Sequence, residues 1–569
     1  MNTDFGFKLF KTTTYLSTSI CCLSIANLAT AQPPEVPLPP QPELPPPEVL
    51  PPLDEVLPQL ETPTETTPKG IEDAPQTVLV KKFIVVGSTV FTAEELEEVL
   101  KPYTLRRLSF PELLAAQQAV DRLYIENGYI TSGTFLPPQN LDEGIVTIEV
   151  IEGTVDEINI TGLERLNSGY VRSRLQRATQ PPLNREELLN ALQLLQLDPL
   201  LANLQAELTA GTTIGSSILE LSLQEADPFD LILSYDNFRS PSVGTDRRQV
   251  NLTHRNLVGY GDRLSVGYLN TDGSDSLNDF SYTIPLYASN GTLSFRLGYT
   301  DSDIIEDPFE RFNIESENTN YEFTYRQPIL QKPTQDLALG FSFSRNDSST
   351  TANGDPFQLS RGAETDGETH ISALRFFQEY TTRNATQVIA LRSQFSLGVG
   401  LFDATRNSGD DPDSNFLAWR GQAQYLRSLG SNFTLLLRSD FQTSTRPLVP
   451  VEQFSLGGAL SVRGYRQDAL LGDNGMFSSA EVRATVARIP QWNTSIQLTP
   501  FVDFGAVWNT DDLSFDTDTL ISTGIGLRVQ TSDYFAARLD YGIPLRDLDS
   551  NGDSLQEEGV YFSIELKPF

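Results

Sequence analysis

The chain has 569 residues, enough for several domains, and a formal net charge of −34. A surface that binds phosphate groups must be basic, so this charge argues against a nucleic-acid partner. The acidic residues are spread along the chain and are not gathered in one tail, which indicates a solvated acidic surface.

The first 31 residues have the pattern of a secretory signal. Lys8 and Lys11 precede the weakly apolar stretch YLSTSICCLSIANLATA, which ends in an A-x-A cleavage site at residues 29–31. Both cysteines, Cys21 and Cys22, lie in this segment, and Thr-Ser-Ile before Cys21 is a poor lipidation site. We therefore expect a mature chain that leaves the cytosol and contains no disulfide.

Residues 32–77 form a proline-rich linker, with 15 prolines between positions 33 and 75. Proline fixes φ and removes an amide donor, so this stretch is predicted to form neither helix nor sheet. Its composition is typical of an extended tether, and a proline-rich docking ligand is the alternative.

Two units of about 75 residues follow, and both show the order strand–helix–helix–strand–strand. The first unit, 78–153, opens with the β-branched stretch VLVKKFIVVG, and Thr92 is placed to cap its first helix. The second unit, 154–226, repeats the order with little sequence similarity, which indicates a structural repeat. Open strand edges in such units can accept an extended peptide as an added strand, so we expect capture of an unfolded chain. A spacer or a folding aid for the barrel is the alternative.

From residue 227 to 569 helical patterning stops and alternating segments predict strands. Connections after even-numbered segments are short, and those after odd-numbered segments are long and polar. The segments are sixteen in number: 229–235, 248–256, 262–270, 277–287, 290–299, 317–326, 334–345, 370–380, 385–398, 415–428, 431–443, 476–488, 495–507, 517–529, 533–543 and 559–568. An outer-membrane barrel has this even count, with short turns on one side and long loops on the other.

The alternation also sorts inner from outer residues. In FVDFGAVW, Val502 and Trp508 share one face, and Asp503 and Gly505 share the other, which predicts that Asp503 points into the lumen. Backbone groups in lipid must all be paired, so the sheet must close, and sixteen strands enclose an aqueous channel. The predicted fold is mostly β: a 16-stranded antiparallel transmembrane β-barrel preceded by two small α+β units.

Catalytic signals are few. The two histidines, His254 and His370, fall on predicted strands away from any nucleophile motif, so they are expected to be surface or lumen residues. No phosphate loop, HExxH or GxSxG occurs, although a dispersed set of carboxylates stays open. We expect no enzymatic activity and no cofactor.

One segment matches a calcium loop letter by letter. DLDSNGDSLQEE, residues 547–558, offers Asp547, Asp549, Asn551 and Glu558 as ligands around Gly552. The context differs from that of a calcium-binding helix–loop–helix, because this loop joins two strands and Ser occupies the usual apolar eighth position. The metal site is therefore a weak candidate.

Two short motifs carry a family resemblance. SVRGY, residues 461–465, lies in the eleventh connection, and FVDFG, residues 501–505, lies in the thirteenth strand. Together with the signal, the linker, the repeats and the barrel, they resemble the TpsB family of two-partner secretion transporters, in its haemolysin secretion/activation branch. The repeats resemble POTRA domains, and the resemblance covers residues 78–569. These transporters are relatives of the proteins that assemble outer-membrane barrels.

The resemblance implies that the loop after the eleventh strand folds back into the barrel. Arg463 would then pair with Asp503, Gly464 would permit a tight turn, and Tyr465 would pack at the tip. The strand motif adds Phe501 and Gly505. An arginine fork suits a carboxylate. In a wet, partly screened channel, the pair is expected to contribute about 1–2 kcal/mol, enough to bias the loop without locking it.

Two features depart from the family pattern. Many relatives begin with a plug helix inside the barrel, and residues 32–75 are too rich in proline to form one. Barrel proteins often end in a strand with an in-phase terminal Phe. Here Phe562, Ile564 and Leu566 share a face, and Pro568 shifts Phe569 out of that phase.

The leading hypothesis is a passive exporter in the outer membrane of a Gram-negative-type bacterium, a cyanobacterium being one such source. Its expected partners are an unfolded secreted polypeptide at the POTRA domains, outer-membrane lipid, and the barrel assembly machinery that inserts it. Because the sequence offers no nucleotide site, folding of the cargo outside the cell is expected to supply the energy. An insertase that assembles other barrels and a plain porin are the alternatives.

Overall fold

The computed structural model describes residues 77–141, 143–286, 289–511, 518–548 and 552–568. The predicted signal and all of the linker but residue 77 lie outside these residues. Within them, two small α+β units precede a closed β-barrel, so the predicted fold class is confirmed. No helix in the described part of the chain is long and apolar enough to cross a membrane.

The first unit has two helices packed on a three-stranded sheet of order β2-β5-β4. Its predicted opening strand is two strands, because β1 leaves the main sheet and pairs with β3. Thr92 caps the first helix as expected, since its Oγ1 accepts from the Glu95 amide and its own amide donates to Glu95. The elements are β1 (Val78–Val80), β2 (Lys82–Val86), α1 (Ala93–Leu100), β3 (Arg106–Leu108), α2 (Phe110–Glu126), β4 (Gly133–Phe135) and β5 (Ile145–Ile151).

The second unit repeats this arrangement with sheet order β6-β8-β7. Its helices bury a leucine-rich face that includes Leu175, Leu188 and Leu192 against the sheet. Strand β7 pairs with β8 on one side, so its other edge has no strand partner among the described residues. The elements are β6 (Thr154–Thr161), α3 (Ser168–Leu175), α4 (Arg185–Gln196), β7 (Leu201–Ala210) and β8 (Ser216–Glu225).

Sixteen long antiparallel strands close the barrel within the described residues, and the last strand pairs with the first through residues 563–566 and 233–236. They are β9 (Phe229–Asp236), β10 (Arg247–Arg255), β11 (Arg263–Asn270), β12 (Ser274–Leu286), β13 (Gly291–Asp303), β14 (Ile314–Lys332), β15 (Gln335–Ala352), β17 (Glu368–Arg383), β18 (Gln387–Val399), β19 (Leu417–Ser428), β20 (Phe433–Ser444), β23 (Asn474–Ile489), β24 (Thr494–Trp508), β25 (Thr519–Thr531), β26 (Phe535–Pro544) and β27 (Val560–Leu566). The two-residue strand β16 (Asp355–Pro356) adds to β15, and β21 (Phe454–Leu456) pairs with β22 (Leu470–Gly472) inside one connection.

Several strands run further than predicted. The segment predicted at 334–345 extends to Ala352, and the one predicted at 317–326 begins at Ile314 and reaches Lys332. The added residues at the loop end of β15, NDSSTT, are polar and pair with β14 by their backbones. Apolar alternation marks only the part of a strand that contacts lipid, so it does not show where pairing continues above the membrane.

The two faces of the wall are as predicted. On β24, Val502 is 54% exposed and Trp508 is 40% exposed on the outside, whereas Asp503 is fully buried in the interior. On β27, Ile564 and Leu566 face outward, and Phe569 lies outside the described residues.

The second unit docks on the short turn between β10 and β11. The Asn167 amide donates to the Gly259 carbonyl over 2.8 Å. The Tyr170 ring lies so close to Gly261 that a Cβ there would be 2.3 Å from it, and the Tyr170 hydroxyl donates to Asp198 over 2.7 Å. Burial, with the Asp198 carboxylate, raises the pKa of Tyr170 above its ordinary value, so this contact stays protonated and intact at physiological pH.

Candidate functional site

The connection between β20 and β23, residues 445–473, folds into the barrel and packs on its inner wall. Apolar side chains from the loop and from β23, β24 and β25 form one buried cluster. Gly505 of the strand motif makes room for it, since a Cβ there would lie 2.7 Å from Leu456 and 3.0 Å from Val462. The cluster comprises Phe454, Leu456, Val462, Tyr465, Ala469, Leu470, Phe477, Val507 and Leu520.

Arg463 at the loop tip binds the wall through a bidentate fork. Its Nε donates to Asp503 Oδ2 over 2.7 Å, and its Nη2 donates to Oδ1 over 3.0 Å. The backbone amide of Arg463 also donates to Oδ2 over 3.2 Å. The remaining nitrogen, Nη1, donates to Glu481 Oε2 over 2.8 Å. The structure thus brings together the two residues that the resemblance pairs, and it adds a second carboxylate.

Neighbouring side chains hold the Arg463–Asp503 ion pair in place. Ser479 Oγ donates to Asp503 Oδ1 over 2.6 Å, and the Phe501 ring lies 3.3 Å from Arg463 Cζ. The ring fixes the plane of the guanidinium, because a cation over an aromatic face is attracted by its quadrupole. Phe501 and Asp503 thus contribute two different contacts from one face of β24.

Burial changes the energetics predicted for the pair. Arg463 and Asp503 are fully buried, so the expectation of a wet, partly screened contact is wrong. The reason is that the loop brings its own apolar residues and excludes water. Removing one partner of such a pair leaves an uncompensated buried charge and typically costs about 3–5 kcal/mol, more than the 1–2 kcal/mol expected for a screened pair.

Gly464 lets two backbones touch. Its φ is +102°, in the left-handed region, and its amide donates to the Tyr561 hydroxyl over 2.8 Å. A Cβ on Gly464 would lie 3.2 Å from Gly542, and one on Gly542 would lie 2.5 Å from the Gly464 nitrogen. The tip of the loop therefore lies directly on β26, a contact that a side chain at either position would obstruct.

Tyr465 fixes the tip to β25 and to the connection that follows β26. Its hydroxyl donates to a carbonyl, with the Ile521 oxygen at 2.9 Å and the Arg546 oxygen at 2.8 Å. The Tyr561 hydroxyl in turn donates to the Tyr465 carbonyl over 2.5 Å. Both aromatic rings are buried, so their hydroxyls need these partners.

Arg466, one residue beyond the motif, ties the loop to the β13–β14 and β26–β27 connections. Its two terminal nitrogens donate to the two Glu306 oxygens, each over 2.8 Å. Glu557 lies 3.4 Å from the same guanidinium. The tip of the inward loop is thus held by the wall and, through the adjacent Arg466, by two other connections.

Sequence reasoning missed Glu481, Ser479, Tyr561 and Gly542. Glu481 and Ser479 had a signal, since they alternate on the inward face of a predicted strand opposite Phe501 and Asp503. The sequence contains no such signal for Gly542 and Tyr561, because they contact the loop from strands about 80–100 residues away in the chain.

The other sequence candidates lie elsewhere. His370 Nδ1 is 2.7 Å from Asp347, and the His254 ring meets Phe229 edge-on, both on barrel strands. Asp549 and Asn551 of the calcium candidate lie outside the described residues, so that site stays a prediction. Among the residues that the structure describes, no cluster of three or more metal-ligating side chains occurs.

Comparison with known proteins gives this site its context. The model of the haemolysin secretion/activation protein family ShlB/FhaC/HecB matches residues 215–529, more than half of the chain, and the ShlB-type POTRA domain model matches residues 78–153. The outer membrane transporter CdiB of Escherichia coli is 25% identical over 511 residues, covering 87% of this chain and 83% of that protein. The heme/hemopexin transporter protein HuxB of Haemophilus influenzae is 23% identical over 504 residues, covering 84% of each.

A solved structure shows the same fold. CdiB from Escherichia coli superimposes with a TM-score of 0.70 at 22% identity, covering 90% of this chain and 94% of that one. The fold, the family models and the curated relatives agree with the resemblance stated from the two motifs. The chain therefore belongs to the haemolysin secretion/activation family, and it is an outer-membrane transporter of secreted partner proteins.

Proposed function

We propose that the chain captures an unfolded secreted polypeptide at its POTRA units and passes it through the barrel, with the inward loop as the element that must move. The observation that carries this proposal is the position of a free strand edge beside the barrel mouth. The second unit docks on the β10–β11 turn, and its edge strand β7 is ten residues long. An extended chain can pair with such an edge by backbone hydrogen bonds, without a fixed sequence.

The Arg463 network supplies the rest of the proposal. A loop folded into the lumen obstructs a polypeptide, so export through the barrel requires its displacement. At its tip, Arg463, Gly464 and Tyr465 contact β24, β25, β26 and β27. Before the tip, Glu452 of the same connection binds Arg375 on β17 over 2.6 Å. We infer that a passing chain displaces this tip and that cargo folding outside draws the chain through.

Two further partners belong to the same proposal. The outward face of the wall carries exposed apolar side chains such as Phe341 and Val502, which suit the acyl chains of outer-membrane lipid. The barrel assembly machinery is the expected agent of its insertion. A cyanobacterial source stays a prediction.

Depletion of the protein tests export against the insertase alternative. Export predicts that large secreted proteins are lost from the medium while other outer-membrane barrels keep their normal levels. Normal secretion with depleted barrels would instead support an insertase. The chain has two POTRA units rather than a longer array, and this number favours export over a role in assembling other barrels.

A photo-crosslinking side chain tests the capture edge directly. Gln205 is exposed on β7, and Glu187 is exposed on the first turn of α4 in the same unit. A crosslinker at 205 is expected to trap the exported chain during secretion, whereas one at 187 serves as the matched control. Equal crosslinking from both positions would contradict capture by the edge.

A further inference from the structure

An arginine in the lumen has no hydrogen-bond or ion-pair partner among the residues that the structure describes. Arg528 lies on the inward face of β25, three residues before the strand ends at the turn nearest the POTRA units. It is half-buried and makes no hydrogen bond or ion pair with any residue that the structure describes. It therefore projects a full charge into the entrance side of the channel, below the folded loop.

The two carboxylates that act on it, Glu481 and Asp540, are each matched to another arginine. Glu481 accepts from Arg483 Nε over 2.9 Å. Asp540 is 2.5 Å from Arg538 Nη2, an ion-pair distance without hydrogen-bond geometry. Arg528 is the surplus cation of this group, in a chain whose overall charge is −34.

Its placement works against stability. Arg528 stands directly opposite Arg538 across the β25–β26 ladder. Like charges in directly opposed positions destabilise an antiparallel pair. A neutral or acidic residue at 528 would remove this repulsion, so packing gives no reason for an arginine here.

We propose that Arg528 is a binding site for the carboxylate side chains of acidic segments in the exported polypeptide. This inference rests on the proposed export function and names the chemistry that the entrance selects. A planar guanidinium with free donors matches a carboxylate, and a lumen with low-dielectric walls strengthens that attraction. One exposed fork binds weakly, which suits a chain that must move on.

Peptide binding to the purified full-length protein tests the proposal. A fluorescein-labelled Glu-rich peptide is compared with a Gln-rich peptide of equal length by fluorescence anisotropy at low salt, where screening is weakest. Arg528→Gln is expected to weaken binding of the Glu-rich peptide about fivefold, the size of one surface-type charge contact, and to leave the Gln-rich peptide unchanged. The matched control is Arg427→Gln, which removes an equal charge from the outward, exposed end of β19.

A charge reversal gives a second readout. Arg528→Glu places a carboxylate opposite Arg538 and is expected to raise the unfolding temperature of the barrel while abolishing the preference for the Glu-rich peptide. Binding of the Glu-rich peptide that is the same in wild type, Arg528→Gln and Arg427→Gln overturns the inference, and so does a preference retained in Arg528→Glu. Secretion that persists after depletion of the protein would overturn the export proposal itself, which the peptide assay does not address.

Discussion

Replacing Arg463 by alanine is the sharpest test of the inward loop. The substitution leaves Asp503 and Glu481 buried at 0% and 5% side-chain exposure without their cation. Glu481 keeps Arg483 at 2.9 Å, whereas Asp503 keeps only Ser479 as a side-chain hydrogen-bond donor among the described residues. The damage should therefore fall mainly on Asp503.

The size of the effect follows from burial. Removing one partner of a buried ion pair costs about 3–5 kcal/mol, and about 3 kcal/mol changes an opening equilibrium roughly a hundredfold. Tyr465 and Arg466 still hold the loop through their own hydrogen bonds, so the loop opens more often but the barrel persists. We expect the loop to leave its seat more often while barrel assembly is retained.

Hydrogen exchange of the loop amides in the full-length protein measures this opening. Residues 457–470 should lose protection by roughly a hundredfold in Arg463→Ala, and strand β12, which pairs with β11 and β13, should keep its protection. Arg463→Lys retains the charge but not the fork, so its loss should be intermediate. Unchanged exchange at 457–470 in Arg463→Ala would refute the assignment of the pair as the anchor.

Three smaller predictions concern the tip, the second POTRA unit and its junction. Gly464→Ala should weaken loop protection by about 1–2 kcal/mol in the same assay, because φ is +102°. Glu225→Gln should expose amides 164–166, which donate to Glu225 Oε1 over 2.7–2.8 Å. Burial alone would raise the pKa of Glu225, but these hydrogen bonds outweigh burial and lower the pKa below its ordinary value. The stabilisation from Glu225 is therefore present at neutral pH and is lost as pH falls through the pKa of the folded state. Tyr170→Ala should broaden distances between spin labels on the second unit and the barrel, since its ring packs on Gly261.

Sequence reasoning went furthest where chemistry is local. The strand count follows from alternating loop lengths, and the inward phase of Asp503 follows from one five-residue motif. The partner choice of Arg463 came from family resemblance, since nothing local to residues 461–465 indicates a strand 40 residues away.

Contacts between residues far apart in the chain could not be predicted from the sequence. The contact of Gly464 with Gly542 joins a loop and a strand about 80 residues apart, and each glycine alone looks like any other. Burial was missed for a related reason. Val462 and Leu456 are two of many apolar residues in this connection, and only their shared packing on Gly505 shows that the loop excludes water.

The buried ion pair explains how the loop can bind the wall specifically and still be released. Ions lose hydration when the loop folds in, and the attraction of Arg463 for Asp503 largely offsets that loss, so the intact pair adds little net stability. When the loop leaves, both ions regain water in the lumen. Deleting one ion removes the attraction, but the other ion still loses its hydration when the loop folds in. A single substitution therefore destabilises the folded-in loop by far more than the intact pair stabilises it.

This asymmetry gives a double-substitution prediction. Arg463→Met with Asp503→Leu replaces both ions by apolar side chains, and Glu481 keeps Arg483. We expect loop protection in the double variant to exceed that of either single variant, approaching wild type, because no unpaired charge is buried. Secretion should fall in the double variant, because a loop seated by apolar contacts alone is not released by hydration of its ions. A double variant that loses as much protection as the two single variants combined would show that Arg463 and Asp503 act independently.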